Sequence, residues 1–256
     1  TDADNVPLHF VANVVDTTEQ RMAEQQLIDL LASRDELIAS VSHELRTPLT
    51  AVLGYAGILQ EAVPGPPPQD YELMLKEIIT QGGDLVAIIE DLLVFAQSDS
   101  NSLSVNRVDL DLREQVTLVL ESLRPELAVD HVVVSGSRVR AIADPIRTRQ
   151  VLRNLLSNAS RYGGDTIVVD FADVESQVSI VVSDNGKGVP EEDRDLIFEP
   201  YQRSRPEDGL TAAIGVGLTV ARRLARLMDG DLTYEYRDGT SRFEVTLPAS
   251  RVSAEV

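Results

Sequence analysis

Ser42-His43-Glu44-Leu45-Arg46-Thr47-Pro48 lies inside a long apolar pattern. Leu27, Leu30, Leu31, Leu37, Ile38, Val41, Leu45, Leu49, Val52, Leu53, Ala56 and Leu59 recur at steps of three and four, the spacing of one helix face. This predicts a helix from about Glu19 to Ala62. At about 100° per residue, Val41 and Leu45 share a side, and His43 lies about 200° from each. The imidazole is therefore expected to face solvent from an otherwise packed helix. Pro48 removes one backbone donor and crowds the preceding turn, which predicts a kink one turn after the histidine. A histidine on a helix surface is by itself an ordinary solvated side chain. Here Glu44 sets a carboxylate beside it, able to take the proton from one ring nitrogen and leave the other nucleophilic. Thr47 stands one turn further on, with a hydroxyl that could hold a water.

The phrase SVSHELRTPLT, Ser40 to Thr50, closely resembles the phosphoacceptor box of sensor histidine kinases. In that family the histidine takes a phosphoryl group, the acidic neighbour assists and the threonine serves phosphatase chemistry. The resemblance implies that His43, Glu44 and Thr47 are the catalytic residues of this segment.

On the C-terminal side of the box, Ala62-Val63-Pro64-Gly65-Pro66-Pro67-Pro68 stops the helix, because consecutive prolines cannot continue one. The pattern restarts near Gln69 and carries Tyr71, Met74, Leu75, Ile78, Leu85, Ile88, Ile89, Leu92 and Phe95 to about Gln97, with Gly82-Gly83 as a weak point. Two such helices make an antiparallel hairpin, and two hairpins make a four-helix bundle. One hairpin alone would expose both stripes, so a homodimer is expected. On the N-terminal side, Leu8 to Asp16 reads as a strand, and Asp16-Thr17-Thr18-Glu19 as a helix start with Asp16 or Thr17 as its cap. That succession resembles the end of a PAS sensor domain. It implies an upstream sensor joined to the bundle through an unbroken helix.

Composition narrows the classes. A length of 256 residues suits one to three domains, and 43% hydrophobic content is ample for folded cores. No segment approaches the roughly 18 continuous apolar residues that span a bilayer, and TDADNVPLHF lacks the basic start and apolar run of a signal peptide. Zero cysteines exclude disulfides and thiolate metal sites. The expectation is a cytoplasmic chain, the soluble part of a larger or membrane-linked sensor. A net charge of −19 argues against nucleic acid as a partner. It also requires that any polyanionic nucleotide be held by local dipoles, a cation and a few basic side chains.

After the polar stretch Gln97 to Asn106 the pattern becomes mixed. Leu112 to Arg124, Pro145 to Tyr162 and Gly217 to Met228 read as helices. Val132 to Val134, Val139 to Ala143, Thr166 to Phe171, Val178 to Ser183, Leu232 to Tyr236 and Arg242 to Leu247 read as mainly antiparallel strands. This order suggests an α+β two-layer sandwich. In the helix Gln150 to Tyr162, Asn154 and Asn158 are four apart and share a face, while Leu152, Leu155, Leu156 and Ala159 line the buried side. An amide oxygen is a hard ligand suited to Mg²⁺. Asp184-Asn185-Gly186-Lys187-Gly188-Val189-Pro190 follows a strand, and its glycines permit close backbone approach. Gly215-Val216-Gly217-Leu218-Thr219-Val220 opens a helix whose N–H groups can hold phosphate oxygens without side-chain charge.

These segments, in this order, resemble the boxes of the GHKL ATPases over about Val105 to Pro248. The resemblance implies the GHKL (Bergerat) ATP-binding fold, with ATP and Mg²⁺ as its ligands. It implies Mg²⁺ on Asn158 with Asn154 in support, Arg161 near the phosphates and Tyr162 bordering the adenine. Asp184 would accept a hydrogen bond from the adenine amino group beside Gly186 and Gly188, and Gly215, Gly217 and Leu218 would cradle phosphate. Ile197-Phe198-Glu199-Pro200-Tyr201 would anchor a lid carrying Arg203, with Arg205 a second lid arginine. Ala212-Ala213-Ile214 departs from the family, where glycines and a small hydroxyl residue are usual, and points to a stiffer lid or weaker nucleotide binding.

The expectation is a multidomain chain. Residues 1–18 are the remnant of a PAS-like sensor, and 19–97 hold a signalling helix with the dimerisation and histidine phosphotransfer domain. Residues 98–106 are a hinge, 107–250 a catalytic ATP-binding domain and 251–256 a tail. The all-α hairpin forms a dimeric four-helix bundle, and the α+β sandwich follows it. The function implied is an autophosphorylating protein-histidine kinase that passes phosphoryl from His43 to an aspartate of a response-regulator receiver domain, and that also acts as a phosphatase of that regulator. The alternative is a non-catalytic dimeric scaffold that binds nucleotide as a switch. A chaperone or topoisomerase ATPase is disfavoured by the phosphoacceptor box.

Overall fold

The computed structural model describes residues 17–62, 69–96, 103–123, 132–174, 176–199 and 216–250. The strand expected within residues 8–16, the proline turn at 63–68, the hinge residues 98–102, the lid residues Tyr201, Arg203 and Arg205, Ala212 to Gly215, and the tail at 251–256 lie outside them. The chain divides into two compact units, residues 1–40 and 41–256. The described part of the first is helical from Thr18 onward. That helix, α1 (Thr18–Glu61), passes into the second unit and runs through Pro48 without a break in its assignment. Proline lacks the N–H that would bond the Glu44 carbonyl, while threonines on either side, Thr47 and Thr50, donate their hydroxyls to the carbonyls of His43 and Arg46.

A second helix, α2 (Tyr71–Ala96), continues through Gly82-Gly83, where an added β-carbon would meet nothing within 4 Å. These glycines weaken the helix by entropy alone. Beyond it the elements are β1 (Val108–Asp111), α3 (Leu112–Leu123), β2 (Val132–Val134), β3 (Arg140–Ala143), α4 (Pro145–Tyr162), β4 (Ile167–Val174), β5 (Gln177–Asp184), α5 (Gly217–Leu227), β6 (Asp231–Arg237) and β7 (Thr240–Pro248). Two long helices are thus followed by a mixed sheet with helices, as the α+β reading of the sequence expects. The five-stranded sheet has the order β2-β4-β5-β7-β6, and β1 pairs with β3 in a two-stranded sheet. All pairs are antiparallel except β2 with β4. That parallel pair comes from the crossover through β3 and α4, which a list of strands does not reveal. Strand β1 is an addition to the elements read from the sequence.

Helix starts have clear causes. Asp144 caps α4, its Oδ1 accepting from Ile146 N at 2.9 Å and Arg147 N at 3.1 Å, with Pro145 in the first helical position. Asp111 does the same for α3 through Arg113 N at 3.0 Å and Glu114 N at 3.2 Å. The apolar stripes they aim inward, Leu112, Val116 and Val119 of α3, Leu152, Leu155 and Leu156 of α4, and Val220 and Leu224 of α5, are all but fully buried. The sheet supplies Val169, Ile180, Val182, Val245 and Leu247 to the same core. Each such side chain contributes about 1.5–3 kcal/mol through burial.

Asp231, at the start of β6, fastens α5 to the sheet. Burial alone would raise its pKa, but hydrogen bonds from Arg226 and Arg222 and from the Leu232 N–H bring it down to about 2. A carboxyl lowered on folding contributes stability above its unfolded pKa and loses it as pH falls toward the folded value. Asp231→Asn should therefore lower the thermal midpoint at pH 7 and cost roughly 1 kcal/mol, discounted because the side chain is 38% exposed. The gap between the two proteins should close as the pH is lowered from about 4 to 2. A gap of constant size across that range would show that Asp231 acts through shape rather than charge.

Candidate functional site

The strand period explains an unusual burial. Val178, Ile180, Val182 and Asp184 point to one face of β5, and the first three fill the core. Asp184 continues that inward face and is only 6% exposed, opposite Ile167 and Ser241 in the register. Its Oδ1 accepts from Gly186 N at 3.0 Å, and burial, only partly offset by that bond, holds its carboxyl above the ordinary range.

The end of α4 closes over this carboxylate. A β-carbon at Gly163 would lie 2.2 Å from the Ala159 carbonyl oxygen and 2.6 Å from Asp184 Cβ, and one at Gly186 would lie 2.3 Å from the Tyr162 carbonyl oxygen. No side chain fits at either place. Asn185 ties the same junction from outside, its Oδ1 accepting from Asp165 N at 3.2 Å and Thr166 N at 3.0 Å and its amide donating to Asp165 Oδ1 at 2.8 Å. Gly188 has φ +70°, and an added β-carbon would fall 2.3 Å from the Tyr236 ring. Val189 N then donates to Tyr234 Oη at 2.8 Å, which fixes the loop on β6. Gly163 and Asn185 shape this junction, and the sequence reading gave neither a role. The one signal for Gly163 was a Gly-Gly pair at the end of a helix.

On α4, Asn154 and Asn158 lie one turn apart and are both half-buried. Asn154 Nδ2 donates to the Gly217 carbonyl at 3.0 Å, which brings the asparagine helix to the start of α5. No side chain caps α5 among the described residues; its cap position is Val216. Leu218 is in that first turn, and Phe198 lies under the guanidinium of Arg222 at 4.6 Å. Tyr162 is 51% exposed beside the Gly163 junction. Arg161 lines a cleft between α2 and α4 together with Leu73, Lys76 and Asp84. Gly215 and Arg203 are outside the described residues. His43 is exposed on α1, Glu44 is half-buried, and Thr47 Oγ1 donates to the His43 carbonyl at 3.3 Å.

A link between bundle and ATPase segment was not legible in the sequence. Asp91 of α2 accepts from Gln150 Nε2 at 2.7 Å and from Asn154 Nδ2 at 3.2 Å. Burial pushes its carboxyl up to about 6, against those two hydrogen bonds.

The residues present fit an adenine nucleotide with a magnesium ion. A buried acceptor at a strand end, a cradle that β-carbons would fill and an uncapped helix start are the features such a ligand needs. Among the described residues no group of three or more acidic, histidine or cysteine side chains could hold a metal. Asn158, whose amide has no hydrogen-bond partner among those residues, offers an oxygen for a cation shared with phosphate. No described helix is long and apolar enough to cross a membrane.

Two family models match the chain. Residues 33–101 match the His Kinase A (phospho-acceptor) domain, and residues 143–251 match the histidine kinase-, DNA gyrase B- and HSP90-like ATPase. The chain is 30% identical over 256 residues to histidine protein kinase DivJ of Caulobacter vibrioides, covering 94% of this chain and 43% of that one. It is 30% identical over 249 residues to the autoinducer 2 sensor kinase/phosphatase LuxQ of Vibrio cholerae, covering 91% of this chain and 28% of that one. The histidine kinase AdeS of Acinetobacter baumannii superposes with a TM-score of 0.58 at 25% identity, covering 82% of this chain and 98% of that one. The chain thus spans less than half the length of these curated relatives.

The tight junction carries a prediction. Gly163→Ala should lower the affinity for ATP at least fivefold by calorimetry and depress the thermal midpoint, because α4 must lift away from Asp184. Gly83→Ala, in open space on α2, should leave ATP affinity unchanged and stabilise the helix by about 0.5–1 kcal/mol. Equal affinities for the two variants would place the nucleotide elsewhere. The chain belongs to the sensor histidine kinases, carrying their phosphoacceptor domain followed by their ATPase domain.

Proposed function

We propose that this chain is an ATP-dependent protein-histidine kinase that phosphorylates His43 and passes the group to an aspartate of a response-regulator receiver domain. The observation that supports it best is the pairing, in one chain, of an exposed histidine beside a carboxylate with a nucleotide-shaped junction at Asp184, Gly163 and Gly186. A ring nitrogen of His43 attacks the γ-phosphorus of ATP; the N–P bond forms as the bond to the ADP oxygen breaks. Glu44 takes the imidazole proton, and ADP leaves. Asp184 receives the adenine amino group, Tyr162 borders the ring and the first-turn N–H groups of α5 hold phosphate oxygens. Asn158 would hold Mg²⁺ with Asn154 beside it, and the bound ion would offset charge on the phosphates. Arg161 and, from the lid, Arg203 and Gly215 complete the set.

A homodimer is supported by the faces left bare in a single chain. Leu75, Ile79, Val86, Ile89 and Leu93 of α2 recur in a heptad pattern and are exposed, Ile79 by 74%. Leu49 and Leu53 of α1 are exposed as well. A second copy would cover these stripes as a four-helix bundle. Thr47 suits a phosphatase step, since its proton is given to the His43 carbonyl and its lone pairs stay able to accept from a water. The upstream end of α1 is suited to join a sensor domain.

Incubation with radiolabelled ATP and Mg²⁺ tests the assignment. His43→Gln should incorporate no label and bind ATP as the parent does; full labelling of the variant would refute His43 as acceptor. Asn158→Ala should weaken ATP binding mainly in the presence of Mg²⁺, and Asp184→Ala both with and without it. If neither changes affinity by more than about threefold, under roughly 1 kcal/mol, the nucleotide is held elsewhere.

A further inference from the structure

Asn154 has one amide nitrogen and two acceptors to satisfy with it. Its Nδ2 donates to Asp91 Oδ2 on α2 at 3.2 Å and to the Gly217 carbonyl at the start of α5 at 3.0 Å. Both neighbours are acceptors only, so the amide orientation is dictated, and Oδ1 is the atom turned away from them. The other oxygen of Asp91 accepts from Gln150 Nε2 at 2.7 Å, one turn earlier on α4. One carboxylate of the bundle therefore grips the asparagine helix at two successive turns and reaches the phosphate-cradle helix through a single side chain.

Seven residues before Asp91 on the same face of α2, Asp84 faces Arg161 near the other end of α4, so α2 and α4 run side by side with their directions opposed.

We propose that Asp91 is a positioning residue that berths the ATPase module on α2 and, through Asn154, sets the start of α5 against that helix. Resting on the kinase reading above, the proposal adds a bundle residue to a site otherwise made by α4, β5 and α5. Asp91 touches neither the nucleotide nor the reacting nitrogen. It acts through Asn154 and Gln150, and so governs how the phosphate-cradle helix is presented to the histidine rather than how tightly the nucleotide binds.

The test uses the full chain with ATP and Mg²⁺. Asp91→Ala should lower kcat for His43 labelling about tenfold while KM for ATP and the calorimetric ATP affinity stay within about twofold. Asp91→Asn, which keeps one acceptor oxygen for Gln150, should recover most of the rate, and Gln150→Ala should lose about threefold. Independently of activity, amide hydrogen exchange over residues 88–94 should quicken at least tenfold in Asp91→Ala. An unchanged or faster kcat in Asp91→Ala would overturn the proposal, as would a loss of ATP affinity equal to the loss of rate, or unaltered exchange in that segment. A parent chain that labels no histidine would instead overturn the kinase reading, and the exchange measurement would still decide the berth.

Discussion

The close approach of two backbones at Gly163 and Gly186 is the constraint on which the nucleotide half depends. With the Tyr162 carbonyl, Gly163 and Asp184 packed within the space of one β-carbon, α4 has a single way to end against β5. That fixes the rotation of α4 about its axis. Its apolar stripe of Leu152, Leu155 and Leu156 turns to the core, and Asn154, on another face, turns to the start of α5. The same contact seals Asp184 from water on the inward side of the strand. A carboxylate there has given up most of its hydration and accepts one backbone bond through Oδ1, which leaves capacity to accept from an amino group.

The helical half follows from the opposite condition, too little burial. Of the described α2 side chains only Val94 is fully buried, while its heptad positions lie open. An exposed stripe of large aliphatic side chains is uncommon on a monomer, and it is the face that the proposed second copy would cover. On α1, His43 is exposed apart from the apolar positions Leu49 and Leu53, so under the proposed reading association and chemistry need not compete for the same face.

Periodicity carried much of the fold. The helices at Leu112, Pro145 and Gly217 and the strands between them were legible because each has one apolar face and a clear stop. Val108-Asp109-Leu110-Asp111 was not, since four residues with two aspartates are too short to show a period; it is a strand only because β3 lies beside it. Its Asp111 then caps α3, a role that depends on where the strand ends. Asp184, Asn154 and Asn158 stood out in the sequence by their neighbours. Asp91, Gln150 and Asn185 did not, because each acquires its meaning from a residue nineteen or more positions away, and no local spacing encodes such a partner. Arg161 was read near the phosphates on charge and position; that it also lines a cleft between α2 and α4 was not legible.

Charge decides which groups can receive a polyanion in a chain of net −19. The basic residues of α5 are less available than their number suggests. Arg222 and Arg226 both donate to Asp231, and Arg222 also stacks on Phe198. These cations are spent on holding the helix to β6 and the lid base to the helix. What remains at the start of α5 is backbone. Helices α3 and α4 have aspartates bonded to their first N–H groups, whereas α5 begins with Val216 and Gly217 and, among the described residues, no side chain caps them. An uncapped start would be a cost of about 1 kcal/mol in a helix with no ligand. It becomes an advantage once phosphate oxygens occupy the position an aspartate would otherwise take, because the aligned peptide dipoles attract negative charge without adding a side chain that water or a carboxylate could claim first.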